Sequence, residues 1–224
     1  MLVYSALRGT NDKLFPSILG LYVPKGSLVA DVTFGRGVFW KGIPEGDYDL
    51  RATDLKDGVD FRNLPYTNGE LDALVLDPPY MHSPGGTAHR GHQNFETYYR
   101  NNQATSPAGF KYHDAVLRLY LEGILEAFRV LRHKGVLILK CQDQVCAGHM
   151  RLTGVELAHY LVHNGWKVED LFVLMANNHP GISRLKKQQH SRRNHSYFLV
   201  ARKSKVPRLG MRLGEDLWPK ADSV

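Results

Sequence analysis

The chain has 224 residues, 43% of them hydrophobic and 23% charged, with two cysteines and a formal charge of +7. Two cysteines exclude a disulfide scaffold, and no apolar run approaches the roughly 18–20 residues of a membrane span. What remains is one domain with a sizeable core, and the low cysteine count makes a reducing cytoplasm the expectation. Cys141 and Cys146 lack the second paired cluster that a zinc site would need. The excess positive charge suggests a polyanion partner. From Leu171 to Gly214 there is no Asp or Glu, and Arg184, Lys186, Lys187, Arg192 and Arg193 flank a predicted strand there. That pattern predicts a phosphate-contacting face, against the alternative of a solvated basic tail.

In chain order, Asp12–Leu21 reads as a short helix with Leu14, Phe15, Ile18 and Leu19 on one face and Pro16 near its start. Ser27–Thr33 reads as the first strand of the domain, leading into Phe34-Gly35-Arg36-Gly37, where the two glycines let the backbone tighten and approach a ligand. A short helix over Val38–Ile43 is stopped by Pro44. Tyr48–Thr53 alternates as a strand and ends at Asp54, which is placed either to hold a ribose diol or to cap a turn. Asp60 and Phe61 follow, and only sixteen residues separate Asp54 from Leu71. A helix and a third strand barely fit there, so Asp54 and Asp60 are exchangeable candidates for the same role.

Leu71–Leu76 is the most apolar predicted strand, and it ends in Asp77-Pro78-Pro79-Tyr80. The prolines cannot donate ladder hydrogen bonds, so pairing stops and a carboxylate and a ring are fixed at the strand's carboxyl edge. An ionised Asp77 and the Pro78 carbonyl could accept the two N–H groups of an exocyclic amine, while Tyr80 stacks on a flat heterocycle. A plain turn after a strand would use the same residues. His82–His113 then shows no periodicity, and its aromatic residues alternate with Arg90, Arg100 and Lys111. It is expected to form a substrate-facing lid and recognition insertion.

Asp114 is expected to cap a helix with Leu117, Leu121, Ile124, Leu125, Phe128 and Leu131 inward, ended by His133-Lys134-Gly135. Val136–Leu139 is the next strand, with Gln142 and Asp143 expected in a solvent-facing loop beyond it. Thr153-Gly154-Val155-Glu156 reads as a capping box for a helix running to about Asn164 and stopped by Gly165. Val168–Ala176 and Tyr197–Ala201 are the last strands, with a tail from Arg202 onward.

Asp77-Pro78-Pro79-Tyr80 after a hydrophobic strand resembles motif IV of the S-adenosylmethionine-dependent amino-methyltransferases, which methylate adenine N6 or cytosine N4. Asp31-x-x-x-Gly35-x-Gly37 resembles their motif I, although Val32-Thr33 and Arg36 depart from the common pattern. Phe15-Pro16 resembles motif X, Asp54 motif II, Asp60-Phe61 motif III, and Asn194-His195-Ser196-Tyr197 the start of the last family strand. The resemblance covers roughly residues 12–203. It implies a Rossmann-like class I methyltransferase fold: a mostly parallel sheet with an antiparallel last strand and helices on both faces. Residues 1–203 would then be the catalytic domain, with 82–113 inserted and 204–224 a tail.

The resemblance also implies S-adenosyl-L-methionine as cofactor, met by Phe15, Pro16, Asp31, Thr33, Gly35, Gly37, Asp54, Asp60, Phe61 and Asp77. No metal is required for direct methyl transfer. The implied partner is DNA, contacted by Arg90, Arg100, Lys111 and the later basic residues, with the base flipped out of its stack. RNA is the alternative, since related enzymes modify tRNA and rRNA. A catalytically silent subunit that only binds nucleic acid is a further reading, motivated by the departures at Thr33 and Arg36.

Overall fold

The computed structural model describes residues 2–81, 112–177 and 188–204. Of the sequence candidates, Arg90, Arg100, Lys111, Arg184, Lys186 and Lys187 lie outside the described residues, as do nearly all of the 82–113 insertion and the tail from residue 205.

Nine strands and three α-helices organise the described chain: β1 (Ala6–Gly9), α1 (Asn11–Tyr22), β2 (Leu28–Asp31), β3 (Asp49–Ala52), β4 (Leu71–Leu76), α2 (Tyr112–Val130), β5 (Leu131–Cys141), β6 (Gln144–Cys146), β7 (His149–Arg151), α3 (Thr153–His163), β8 (Trp166–Ala176) and β9 (His195–Lys203). Seven of the strands form one sheet in the order β1-β8-β9-β5-β4-β2-β3. β9 is antiparallel to both β5 and β8, and the other pairings are parallel. This is the class I methyltransferase fold that the sequence implied. The chain order reverses between β2 and β4, and the carboxyl ends of those strands flank the crevice in which such sheets take ligands.

Burial on both sheet faces explains why the central strands are continuously apolar. Successive side chains point to opposite faces. Leu74 and Leu76 join Leu137, Leu139, Leu199 and Ala201 beneath α2 and α3, whereas Ala73 and Val75 join Ile138, Phe198 and Val200 beneath α1. The single polar residue of β4, Asp72, accepts from the Leu28 N–H at 2.8 Å and pairs with Arg132, so it pins β4 to the start of β2.

Several sequence expectations need correction. β1 carries too little pattern to be read locally, and it exists because β8 offers it a parallel edge. Between β3 and β4 the chain forms only the short 3-10 turn Leu55–Asp57, so the usual third strand is absent and β3 is the sheet edge. Pro16 lies inside α1 rather than near its start. α2 begins before Asp114 and ends at Val130, so Leu131 belongs to β5. His133-Lys134-Gly135 do not end the helix but form an irregularity within β5, between the Leu71–Leu131 and Ala73–Val136 pairs.

The inward face of α2 is broader than expected: Leu117 and Ile124 are buried and Leu121 and Phe128 pack on the core as expected, but Val116, Tyr120, Gly123 and Ala127 are buried as well and Leu125 is exposed. A Cβ on Gly123 would lie 2.9 Å from both Leu76 and Phe61, so close approach of the helix to the sheet selects the small residues. The Thr153–Glu156 capping box is not made. Among the described residues the buried Thr153 hydroxyl has no hydrogen-bond partner, and the Gly154 N–H is capped from outside by Asp143. Finally, Arg202 and Lys203 are the last residues of β9 rather than tail.

Candidate active site

Asp77 leaves β4 where β2 turns away. Its backbone N–H donates to Thr33 Oγ1 at 2.8 Å, joining the acidic corner to the first residues of the glycine turn. β2 and β4 are adjacent and in register from Val29–Ala73 to Asp31–Val75, which is why two segments 44 residues apart meet.

The glycine turn is held from both sides. Gly35 and Gly37 have φ values of 56° and 65°, the left-handed conformation that favours glycine. Asp54 accepts the Gly35 N–H at 2.9 Å and the Lys56 N–H at 3.1 Å, and Lys56 Nζ donates to the Gly35 carbonyl at 2.6 Å. Asp54 therefore caps the 3-10 turn and ties it to the glycine loop. Each of its oxygens keeps a second lone pair for another donor. Asp31 is 2% exposed and accepts from the Thr33 N–H at 3.1 Å and from Trp40 Nε1 at 2.7 Å. Burial pushes its carboxyl up to about 7, while those two donors pull it down and the charges of Asp77 and Asp54 add to the rise.

Lys140, to which no role was assigned from the sequence, completes the corner. It follows the apolar run of β5, one strand from Asp77, and is 7% exposed. Its Nζ donates to the Tyr80 hydroxyl at 2.5 Å and lies 3.5 Å from Asp77 Oδ2. The Tyr80 hydroxyl donates to Asp77 Oδ1. Burial and the Asp77 carboxylate raise the Tyr80 phenol well above its ordinary value, so Tyr80 remains a donor. The ammonium also lies 5.1 Å from the centre of the Tyr80 ring, 5.5 Å from Phe39 and 5.8 Å from Phe198. A lysine closing a strand of uninterrupted aliphatics was the available signal, because its burial needs a partner carboxylate.

The other expected site residues have the following surroundings. Phe15 and Phe61 are 0% and 2% exposed and belong to the core on opposite sheet faces. Asp60 is clasped by Arg62 at 2.7 Å. The Pro78 carbonyl accepts weakly from the buried Tyr120 hydroxyl at 3.5 Å. Asp143, expected in solvent, is buried.

A cleft of about 660 Å³ opens at the carboxyl edge of the sheet, lined among others by Asn11, Asp12, Tyr80, Lys140, Arg193 and His195. A second of about 540 Å³ is lined by Asp143, Gln144, Gln188, Gln189, Arg192 and Arg193 among others. Gln142 and Arg193 line both. Thus Arg192 and Arg193 stand beside the cleft that contains Tyr80 and Lys140.

The residues around Gly35 fit a nucleoside-bearing group. A Cβ on Gly35 would meet nothing nearer than the Thr33 carbonyl at 3.8 Å, so bare backbone faces open space there, and Asp54 and Asp77 flank it through their hydrogen bonds to Gly35 and Thr33.

No family profile matches the chain, and no curated protein matches it. Among solved structures it is similar to TrmN from Thermus thermophilus, at 16% identity and a TM-score of 0.46 over 85% of this chain and 48% of that one. The chain thus spans about half the length of TrmN. It is similar to an rRNA methylase from Streptococcus thermophilus, at 13% identity and a TM-score of 0.44 over 89% and 99% of the two chains. A provisionally assigned DNA modification methylase, also from Thermus thermophilus and complexed with S-adenosyl-L-methionine, matches at 15% identity and a TM-score of 0.42 over 84% and 59%. Likenesses this distant leave the substrate to be argued from the site.

Proposed function

We propose that this chain is an S-adenosylmethionine-dependent methyltransferase acting on an exocyclic amino group of a nucleic-acid base, adenine N6 or cytosine N4 in DNA. The observation that carries the reading is the hydrogen bond from the Asp77 N–H to Thr33 Oγ1, which sets an amine-accepting carboxylate beside an open glycine turn. When bound, the cofactor supplies an electrophilic methyl group on a positively charged sulfur.

The chain's own residues do the rest. Gly35 offers bare backbone to the cofactor, and Asp54 offers its remaining lone pairs to a ribose diol. Asp77 accepts an amino hydrogen of the target base and orients the nitrogen lone pair, which is much of the barrier for an amine delocalised into its ring. Lys140, at 3.5 Å, sets a compensating positive charge against the Asp77 carboxylate. Tyr80 now spends its hydroxyl on Asp77. That bond lies close to the ring plane and holds the ring in place, and stacking on a base uses the ring face instead. Arg192 and Arg193 supply phosphate contacts at the cleft.

Labelled cofactor incubated with separate DNA, tRNA and rRNA pools, followed by digestion to nucleosides, tests the reading. The expected product is N6-methyladenine or N4-methylcytosine from DNA. Label in an RNA nucleoside would replace DNA by RNA as substrate. Asp77→Asn should lower turnover by about 10²–10³-fold, with calorimetric cofactor affinity largely kept. Turnover retained by that variant would remove Asp77 from the chemistry. A wild-type protein that gives no binding heat with the cofactor would instead support the silent nucleic-acid-binding subunit.

A further inference from the structure

A chain of hydrogen bonds outside the Asp77 corner ends on the wall of the same cleft. Asp143, 6% exposed, accepts the Gly154 N–H at 3.0 Å through Oδ1 and the Tyr197 hydroxyl at 3.1 Å through Oδ2. Gly154 lies in the first turn of α3, where helix N–H groups favour a carboxylate. Its lack of a side chain is what admits the Tyr197 ring, since a Cβ there would stand 2.9 Å from that ring. The Tyr197 oxygen is 2.9 Å from His195 Nε2. The Gln142 amide donates to the His195 carbonyl at 2.9 Å, which fixes the backbone that carries the ring. His195 lines the cleft with Tyr80 and Lys140.

The direction of these bonds fixes the state of the imidazole. A carboxylate has no hydrogen to give, so the Tyr197 O–H donates to Asp143. Its oxygen can then only accept from His195, so the ring hydrogen is on Nε2. Nδ1 is left as a bare lone pair, and among the described residues it has no hydrogen-bond partner. Burial and Asp143 push the Tyr197 phenol up to about 12, so it keeps its proton.

We infer that His195 Nδ1 is the proton acceptor of the cleft, with Tyr197 and Asp143 as its positioning residues; this rests on the methyltransferase reading above. Methylation forms a bond from the amino nitrogen to the methyl carbon as the carbon–sulfur bond breaks, its electron pair going to sulfur. The nitrogen then carries one hydrogen too many. Its N–H bond breaks, the electron pair stays on nitrogen, and the proton moves to Nδ1. The resulting imidazolium shares its charge through Tyr197 with Asp143 at the start of α3, and later releases the proton to solvent. Asp77, already engaged by Tyr80 and Lys140, is left to orient the amine. Among the described residues, the titratable and charged groups facing this ring are Tyr197 on its own strand and Asp143 behind it, with Asp12, Tyr80, Lys140 and Arg193 lining the same cleft.

Two measurements test this on the full chain. Ring nitrogen NMR of protein carrying labelled histidine reads the tautomer without turnover. Neutral His195 is expected protonated at Nε2 in the wild type, with Tyr197→Phe giving a mixture; a wild-type ring protonated at Nδ1 overturns the inference. His195→Ala is expected to lose methylation by about a hundredfold with unchanged calorimetric cofactor affinity, and added imidazole should restore part of it. Unchanged turnover, or a loss that imidazole leaves untouched, overturns the inference while the methyltransferase reading stands. Absence of methylation by the wild type on every nucleic-acid pool sinks both, and is distinguished by occurring before any substitution.

Discussion

Asp31 shows how far one buried side chain departs from what its position in a motif suggests. It sits where the sequence placed a cofactor contact, yet its two oxygens are spent on the Thr33 N–H and the Trp40 indole. It thereby shapes the glycine turn from behind. Its carboxyl is raised from an ordinary 3.8 to about 7, mainly by burial. Below pH 4 it is protonated in the folded and unfolded chains alike. As pH rises, the unfolded carboxyl ionises first, so folded stability is lost between about pH 4 and 7, after which this contribution is level. Asp31→Asn removes the titration while keeping one acceptor. Denaturant midpoints from pH 4 to 8 should fall less steeply in the variant, by on the order of a few kcal/mol across that interval. Equal pH profiles would show that Asp31 ionises like an exposed carboxylate.

Helices and strands with a strong hydrophobic pattern of their own were legible from the sequence, and those defined by a partner were not. β2, β4 and β8 declare themselves by apolar runs, and α3 ends at His163 with Asn164 as its cap before Gly165, within a residue of the expected end. β1 and the β6–β7 hairpin were missed because each strand is only three or four residues long and acquires its hydrogen bonds from another segment. The face of α2 was read in part: its spacing revealed Leu117 and Ile124, but Gly123 and Ala127, which the sheet also covers, carry little apolar signal of their own.

The glycine turn offers a test at the scale of a single element. A Cβ on Gly37 would stand 2.7 Å from the Phe34 ring, at a φ of 65°. Gly37→Ala should cost about 1–3 kcal/mol and weaken cofactor binding in calorimetry. Adding Phe34→Leu should recover the steric part. Failure of the double variant to recover any stability would assign the whole loss to the backbone conformation.

At the scale of the molecule, charge and topology converge on one edge of the sheet. Arg192 and Arg193 belong to the acid-free stretch, and β9 carries that stretch back into the middle of the sheet beside β5. If these arginines neutralise phosphates, the double change to Gln should make log affinity for DNA against log salt shallower by about 1.8, measured by fluorescence anisotropy. An unchanged slope would place the phosphate contacts elsewhere.

The sequence by itself determined the sheet's apolar strands, the two glycines and the carboxylate after β4, because each is a local pattern of hydrophobicity, backbone freedom or chain stiffness. It could not show that Lys140 reaches Asp77 across 63 residues, that Asp143 is buried against α3, or that Phe61 is core. Those depend on which strands become neighbours and on which face of each element is covered. Strand order is settled by packing of the whole chain, and no window of sequence contains it.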